Sequence, residues 1–507
     1  MFERTGRKNQ IRALSLLLCL IMALPCLLQP GCSRAETETT WREEIPELLS
    51  AAPYTEGSVI AGFSGVSEDE LAGFFPDGRI DAAPLYEIEE GTELLAEITS
   101  SELTTEELLR KLAENPAVLY AEPDYLTEKT ETGENTQGNS GSTRLTPYQN
   151  LVNLAPWQWG LSDASPIRNG GLNGKEPNSS VHAFPDLSGT GSNMDRTVYC
   201  AVIDGFVDYN NADLTGVMVH FTEAEQQALG CWEWGYNAST FGNAGQTAAD
   251  FVPDPHGTHC AGLLGASWDG KGISGAASKA KIVSIQTSDP NEDGYILMSA
   301  VIRGYRFVDT YNSYYASRAP EKVIRIVSMS IGLPFTTRAL NAAVYELGKK
   351  YGTLSFIAAG NESYNNDTYP ETCGTLRQNP YAFVVASTDQ TGRMSSYSNY
   401  GVNTVTLGSP GSNMLSTMPV SMAYYFPGFF TDPNSQYADL FTETFDNYNP
   451  DDPNNKVKIS QVREDSENPA RIVREGLSWT GQHSLLLEID QSMTESDDHD
   501  EDDPDVR

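Results

Sequence analysis

Between residues 197 and 388 five runs of β-branched and apolar residues, "TVYCAVID", "AKIVSIQ", "VIRIVSMSIG", "TLSFIAAGN" and "YAFVVAST", alternate with stretches of helical character. Strands so continuously apolar have no face to offer water, so both faces must be covered, which is the condition of a parallel sheet. The intervening segments are "THCAGLLGAS", "YILMSAVIRGYRFVDTY" and "TRALNAAVYELGKKYG". In the last of these Leu340, Ala343, Val344 and Leu347 recur at helical spacing. Strand, helix, strand in repeated order predicts an α/β fold with a parallel sheet, whose sites gather at the carboxyl ends of the strands.

The flanking regions differ in composition. At the N-terminus Arg4, Arg7, Lys8 and Arg12 precede "ALSLLLCLIMALPCLL", an apolar run broken by Pro25 and short for a membrane span. Residues 1–35 therefore read as a secretory signal cleaved after Ala35, with no transmembrane span left once it is removed. "QPGC" also resembles a bacterial lipoprotein signal, with a lipid anchor at Cys32 as the alternative. Residues 36–126 read as a small α+β unit. In it "SVIAGFSG" is a strand, Thr104 or Thr105 caps a helix carrying Leu108, Leu109 and Leu112, and "AVLYAEPDY" follows Pro116 as a second strand. Residues 127–150 are a polar linker, 431–490 alternate as a small β unit, and 491–507 form a solvated acidic tail.

The 69 acidic and 33 basic residues leave a formal charge of −36. That balance argues against nucleic acid or an anionic membrane as partner, because both reward clustered Lys and Arg. Cys19, Cys26 and Cys32 lie in the signal. Cys200, Cys231, Cys260 and Cys373 are widely spread, form no C-x-x-C pair, and leave disulfide pairing open.

Three apolar segments meet polar residues where a buried element should surface: "AVID" stops at Asp204, "DPHGTHCAG" opens a helix at His256, and "SFIAAGN" ends at Asn361. An aspartate can hold an imidazole in one tautomer, the imidazole can take a proton from a hydroxyl, and an amide can donate to a developing oxyanion. Each has a structural alternative. A strand-end aspartate also caps helices, an asparagine after "AAG" also makes turns, and His256 with His259 has a spacing that metal ligands use, though no third ligand is evident. Cys260, one turn after His256, is either a reactive thiol or a small packing residue.

Taken in order, "VIDGFVDYNNADL", "HGTHCAG", "VSMSIG", "AAGNES" and "RMSSYSNYG…GSPGSNMLSTMP" resemble the consecutive signature blocks of the subtilisin-like serine peptidases, the subtilase family. The resemblance implies a parallel-sheet, three-layer α/β peptidase domain over residues 151–430, preceded by a small α+β prodomain and followed by a small β unit. It implies that Asp204 orients the base, that His256 is the general base and then acid, and that Asn361 donates to the oxyanion. Ser330, Ile331 and Gly332 become the extended edge on which a polypeptide substrate pairs. "AVLYAEPDY" is similar to the end of the family's prodomain and "WQWGL" to its mature N-terminus, so residues 36–126 become an intramolecular inhibitor. No cofactor is implied for the chemistry. A structural calcium ion is implied, with no ligand named.

One block of the family's pattern is missing. The Gly-Thr-Ser-Met-Ala-x-Pro segment that carries the nucleophile is not found; "PVSMAYYFPG" echoes its middle through Ser421, Met422 and Ala423, but Pro419 and Val420 replace the glycine and threonine. Ser484 in "GQHSLLLE" matches less well still. The expectation is a secreted or cell-envelope-associated bacterial serine endopeptidase precursor, its peptidase domain incomplete and the chain ending inside an insertion ahead of the serine. The alternative is a catalytically inactive relative that binds peptide or carbohydrate outside the cell.

Overall fold

The computed structural model describes residues 41–128, 153–162, 180–419, 471–474 and 483–486, apart from 77, 90, 156–157, 185, 187, 240–245, 289–294, 333–336, 369–375, 377, 390 and 413. The signal, most of the linker, Ser421, Cys373, the acidic tail and most of the expected β unit lie outside the described residues. Two compact units divide at Tyr125 and Leu126.

In the first unit an antiparallel sheet runs in the order β2–β3–β1–β4, with β1 at Tyr54–Ser64, β2 at Asp81–Ile88, β3 at Glu93–Thr99 and β4 at Val118–Glu128, whose last three residues belong to the second unit. Three helices accompany it: α1 (Ile45–Ala51), α2 (Glu68–Leu71) and α3 (Thr105–Ala113). Helix α3 starts where its capping box dictates. The Thr104 hydroxyl accepts from the Glu107 N–H at 3.2 Å, and the Glu107 carboxylate accepts from the Thr104 N–H at 2.9 Å. Its Leu108, Leu109 and Leu112 are buried in one cluster with Val59, Phe63, Ala96 and Ile98 from the sheet. β2 and β3 are strands that the sequence reading did not name. Pro84 breaks the β2 pattern, and it sits at a register shift on an edge strand, where a missing N–H is tolerated.

The second unit is built on a seven-stranded sheet in the order β12–β11–β10–β9–β5–β7–β6, with every pairing parallel. Its strands are β5 (Val198–Asp204), β6 (Gly235–Asn237), β7 (Ala280–Gln286), β9 (Ile324–Met329), β10 (Leu354–Ala358), β11 (Ala382–Thr388) and β12 (Leu407–Pro410). The helices are α4 (Ala212–Thr215), α5 (Glu223–Leu229), α6 (Pro255–Gly265), α7 (Met298–Ala316) and α8 (Arg338–Tyr351). Side chains alternate across a strand, so neighbouring positions report opposite faces. Ala261 of α6 is buried with Val202 and Ile282, whereas Gly304 of α7 lies against Ile203 and Ile285. The two helices therefore cover opposite faces of β5 and β7, which makes three layers. The stretch "YILMSAVIRGYRFVDTY" divides: Tyr295–Leu297 is a short strand, β8, and the helix begins at Met298. Beyond residue 430 an antiparallel pair is described, β13 (Arg471–Arg474) with β14 (His483–Leu486).

Candidate active site

Strands β10, β9 and β5 are neighbours in that order and run parallel, so their carboxyl ends open at one edge of the sheet. Asp204 is the last residue of β5, Ser330 follows β9, and Asn361 stands three residues beyond β10. Topology alone thus brings these three sequence-predicted segments to one rim.

Asp204 is 0% exposed. Its Oδ1 accepts from the Gly205 backbone N–H at 2.6 Å and from His256 Nδ1 at 2.8 Å; its Oδ2 has no hydrogen-bond partner among the described residues. A carboxylate taken out of water needs donors, and here the imidazole is one of them. With Nδ1–H donated to Asp204, Nε2 carries the lone pair and is the basic nitrogen. The His256 side chain is 12% exposed, so it remains reachable from outside.

His256 is placed by the start of α6. Asp254 is the N-cap, its Oδ1 accepting from the Gly257 N–H at 3.0 Å, and Pro255 fills the first helical position, where no N–H is needed. The Asp254 N–H in turn donates to the Phe206 carbonyl at 2.8 Å, fixing the helix start to the chain just after β5. The fit between the two segments is close. A Cβ on Gly257 would stand 2.0 Å from the Gly205 carbonyl oxygen, and one on Gly205 would stand 2.2 Å from Asp254 Cγ.

Met414, Ser416 and Thr417 brace the same helix from another side. The Ser416 hydroxyl donates to the His259 carbonyl at 2.6 Å, the Thr417 hydroxyl to the Thr258 carbonyl at 2.7 Å, and His259 Nε2 lies 3.1 Å from the Met414 carbonyl. Burial holds the His259 imidazole below its usual range. His259 thus ties α6 to the segment at Met414. Cys260 lies close enough that its sulfur, a His256 nitrogen and an Asp204 oxygen all fall within 4.8 Å of one another. A set of one oxygen, one nitrogen and one sulfur suits a soft ion and not calcium, which takes oxygen ligands.

At the other end of the rim, Gly360 takes φ +109°, a conformation open to glycine, and turns the chain so that Asn361 leaves the sheet. Ile331 of the Ser330–Gly332 segment is fully buried. The Gly332 carbonyl accepts from the Thr127 hydroxyl. Within the second unit Leu126, Thr127 and Glu128 also pair antiparallel with Leu297, Ile296 and Tyr295. Ser421 lies outside the described residues, and of Ser484 only its backbone place in β14 is described. Asp254 and the bracing residues Ser416 and Thr417 were not singled out from sequence. The Asp-Pro ahead of "HGTH" carried the signal for the first, and nothing local carries the last two.

The profile of the Subtilase family matches residues 195–449, just over half of the 507-residue chain. Thermitase from Thermoactinomyces vulgaris is 31% identical over 222 residues, 44% of this chain and 65% of the relative. Subtilisin-like protease 1 from Arthroderma otae is 30% identical over 317 residues, 62% of this chain and 51% of the relative. The matches thus span from about half to just under two thirds of these relatives' own length. Among solved structures, fervidolysin from Fervidobacterium pennivorans, described as a keratinolytic enzyme related to subtilisin, gives a TM-score of 0.46 at 21% identity. That match covers 72% of this chain and 48% of the other.

Proposed function

The chain belongs to the subtilase family, and from that premise we propose that it is a secreted serine-type endopeptidase in which Asp204, His256 and Asn361 serve an attacking serine hydroxyl. The observation that carries the reading is the 2.8 Å contact from His256 Nδ1 to a carboxylate that is itself 0% exposed, at the carboxyl edge of a parallel sheet. In this reading His256 Nε2 takes the proton of the hydroxyl as it adds to a peptide carbonyl. Asp204 holds the tautomer and stabilises the resulting imidazolium, and the Asn361 amide donates to the oxyanion. The proton then passes from Nε2 to the departing amine, leaving an acyl-enzyme that water resolves by the same route in reverse. No described residue is assigned as the nucleophile.

Ser330, Ile331 and Gly332 are proposed to hold substrate by main-chain pairing, which recognises polypeptide before it recognises side chains. Residues 36–126 are proposed as an intramolecular inhibitor. Support comes from the likeness of "AVLYAEPDY" to the end of the family's prodomain. Export through the N-terminal signal, with a cell-envelope destination in a bacterium, fits the basic and apolar composition of residues 1–35. Among the described residues no helix is long and apolar enough to cross a membrane. The chemistry asks for no cofactor. Structural calcium is proposed from the excess of 69 acidic over 33 basic residues, at a site other than the Asp204–His256–Cys260 set, whose donors do not suit it.

The test is hydrolysis of an unfolded protein substrate by the full chain and by His256→Ala, together with labelling by a serine-reactive phosphonate. Where the protein carries its serine block, turnover and labelling that are lost in His256→Ala are expected. Binding of peptide with no turnover in either protein would replace this reading with that of an inactive extracellular binding protein.

A further inference from the structure

The loop that carries Asn361 is held by one side chain from a distant segment, and we propose that Asn399 is the positioning residue for this oxyanion donor. The proposal rests on the reading of Asn361 given above. Asn399 is 4% exposed. Its Oδ1 accepts from the backbone N–H of Glu362 at 3.0 Å and from that of Tyr364 at 2.9 Å. Its Nδ2 donates to Glu362 Oε2 at 2.6 Å, and its backbone N–H donates to the Gly360 carbonyl at 2.9 Å. Residues on both sides of Asn361 are therefore bonded to Asn399, through four hydrogen bonds that reach across 35 to 39 residues of sequence.

The neighbours of Asn399 reinforce the same loop. The Ser363 N–H donates to the Tyr397 carbonyl at 2.9 Å, the Ser363 hydroxyl to the Ser396 carbonyl at 2.7 Å, and the Asn366 N–H to the Tyr400 carbonyl at 2.7 Å. Those contacts could be supplied by any residue with a backbone. The side-chain contacts of Asn399 could not, because they need an acceptor facing two N–H groups and a donor facing a carboxylate within one planar group. That requirement fixes which way the amide is turned. The space is equally selective: a Cβ on Gly360 would stand 2.2 Å from Asn399 Nδ2 and 2.6 Å from Glu362 Oε2. Gly360 φ, the Asn399 amide and the Glu362 carboxylate thus interlock immediately before and after Asn361.

An oxyanion donor works because it is already aimed before charge develops, so loosening its loop costs turnover and leaves ground-state binding largely intact. Asn399→Asp keeps the two acceptor contacts but sets a carboxylate against Glu362. Adding Glu362→Gln to it restores a donor–acceptor pair with the roles reversed. In Asn399→Ala and Asn399→Asp, kcat should fall on the order of 100-fold with KM within about twofold. Amide hydrogen exchange at Glu362 and Tyr364 should quicken at least about tenfold in both, as expected when an opening event loses its closing bonds. In Asn399→Asp/Glu362→Gln the slow exchange and most of kcat should return.

Unchanged exchange at Glu362 and Tyr364 in both single variants overturns the proposal, as does a double variant no better than Asn399→Asp. Absence of turnover in the parent chain would defeat the endopeptidase reading alone, and the exchange rates would still decide whether Asn399 holds the loop.

Discussion

Oδ1 of Asp204 receives two N–H groups at once, the Gly205 backbone at 2.6 Å and His256 Nδ1 at 2.8 Å. Asp204→Asn keeps the shape of the side chain but offers an amide where an anion stood, so the imidazole loses its fixed tautomer. We expect kcat on a peptide substrate to fall by roughly 10⁴-fold, by the size of comparable changes in triad enzymes. The melting temperature should stay within a few degrees, since the volume is unchanged. A fall in turnover matched by loss of cooperative unfolding would assign Asp204 to the fold and not to His256.

The approach of α6 to β5 leaves no room for a methyl group at Gly257, where a Cβ would lie 2.0 Å from the Gly205 carbonyl oxygen. Backbone cannot yield as the end of a flexible side chain can. Gly257→Ala should therefore push the first turn of α6 away from the end of β5, destabilising the second unit by about 1–3 kcal/mol and separating His256 from Asp204. Chemical denaturation and a hydrolysis assay on the same sample would show both effects, and a fully active variant would contradict the packing described.

Burial lifts the Asp213 carboxyl to about 7; the Ile273 N–H, which donates to it at 3.0 Å, opposes the rise, and the charge of Asp269 adds to it. The unfolded chain titrates near 3.9, so between pH ~4 and ~7 the native state holds a proton that the unfolded state has lost. Stability from this group is fully present below pH ~4 and is lost as pH rises through ~7, by up to about 4 kcal/mol. Unfolding free energies of the parent and Asp213→Asn, compared across that range, should diverge as pH rises, with the variant gaining relative to the parent. A difference independent of pH would rule the effect out.

Burial also pushes the Cys200 and Cys231 thiols up to about 12. Neither will supply thiolate near neutral pH, whereas Cys260 is only partly buried. Iodoacetamide on the native protein, followed by mass spectrometry, should leave Cys200 and Cys231 unmodified until denaturant is added. Modification of either in the folded state would mean that this part of the second unit opens readily.

The parallel sheet of the second unit was legible because "AVID", "AKIVSIQ" and their counterparts are apolar on both faces, a pattern with few other solutions. The rim was legible for a related reason: a buried strand that ends in Asp204, or in a Gly-Asn pair after β10, exposes polar atoms at a defined place. Other features were not readable. β2 and β3 are short, mixed in character and interrupted by Pro84, so no period stands out. Tyr295–Leu297 is as apolar as the helix that follows it, and only its partners make it a strand. The contacts of Asn399, Ser416 and Thr417 depend on residues tens to more than a hundred positions away, and such pairings leave no local trace.

The braces on α6 also set an order of events. Ser416 and Thr417 bond to carbonyls of His259 and Thr258 that lie 157 and 159 residues earlier in the chain. At a synthesis rate of roughly 5–20 residues per second, about 8 to 30 seconds separate the two ends of each bond as the chain emerges. For that interval the helix carrying His256 exists without its last supports.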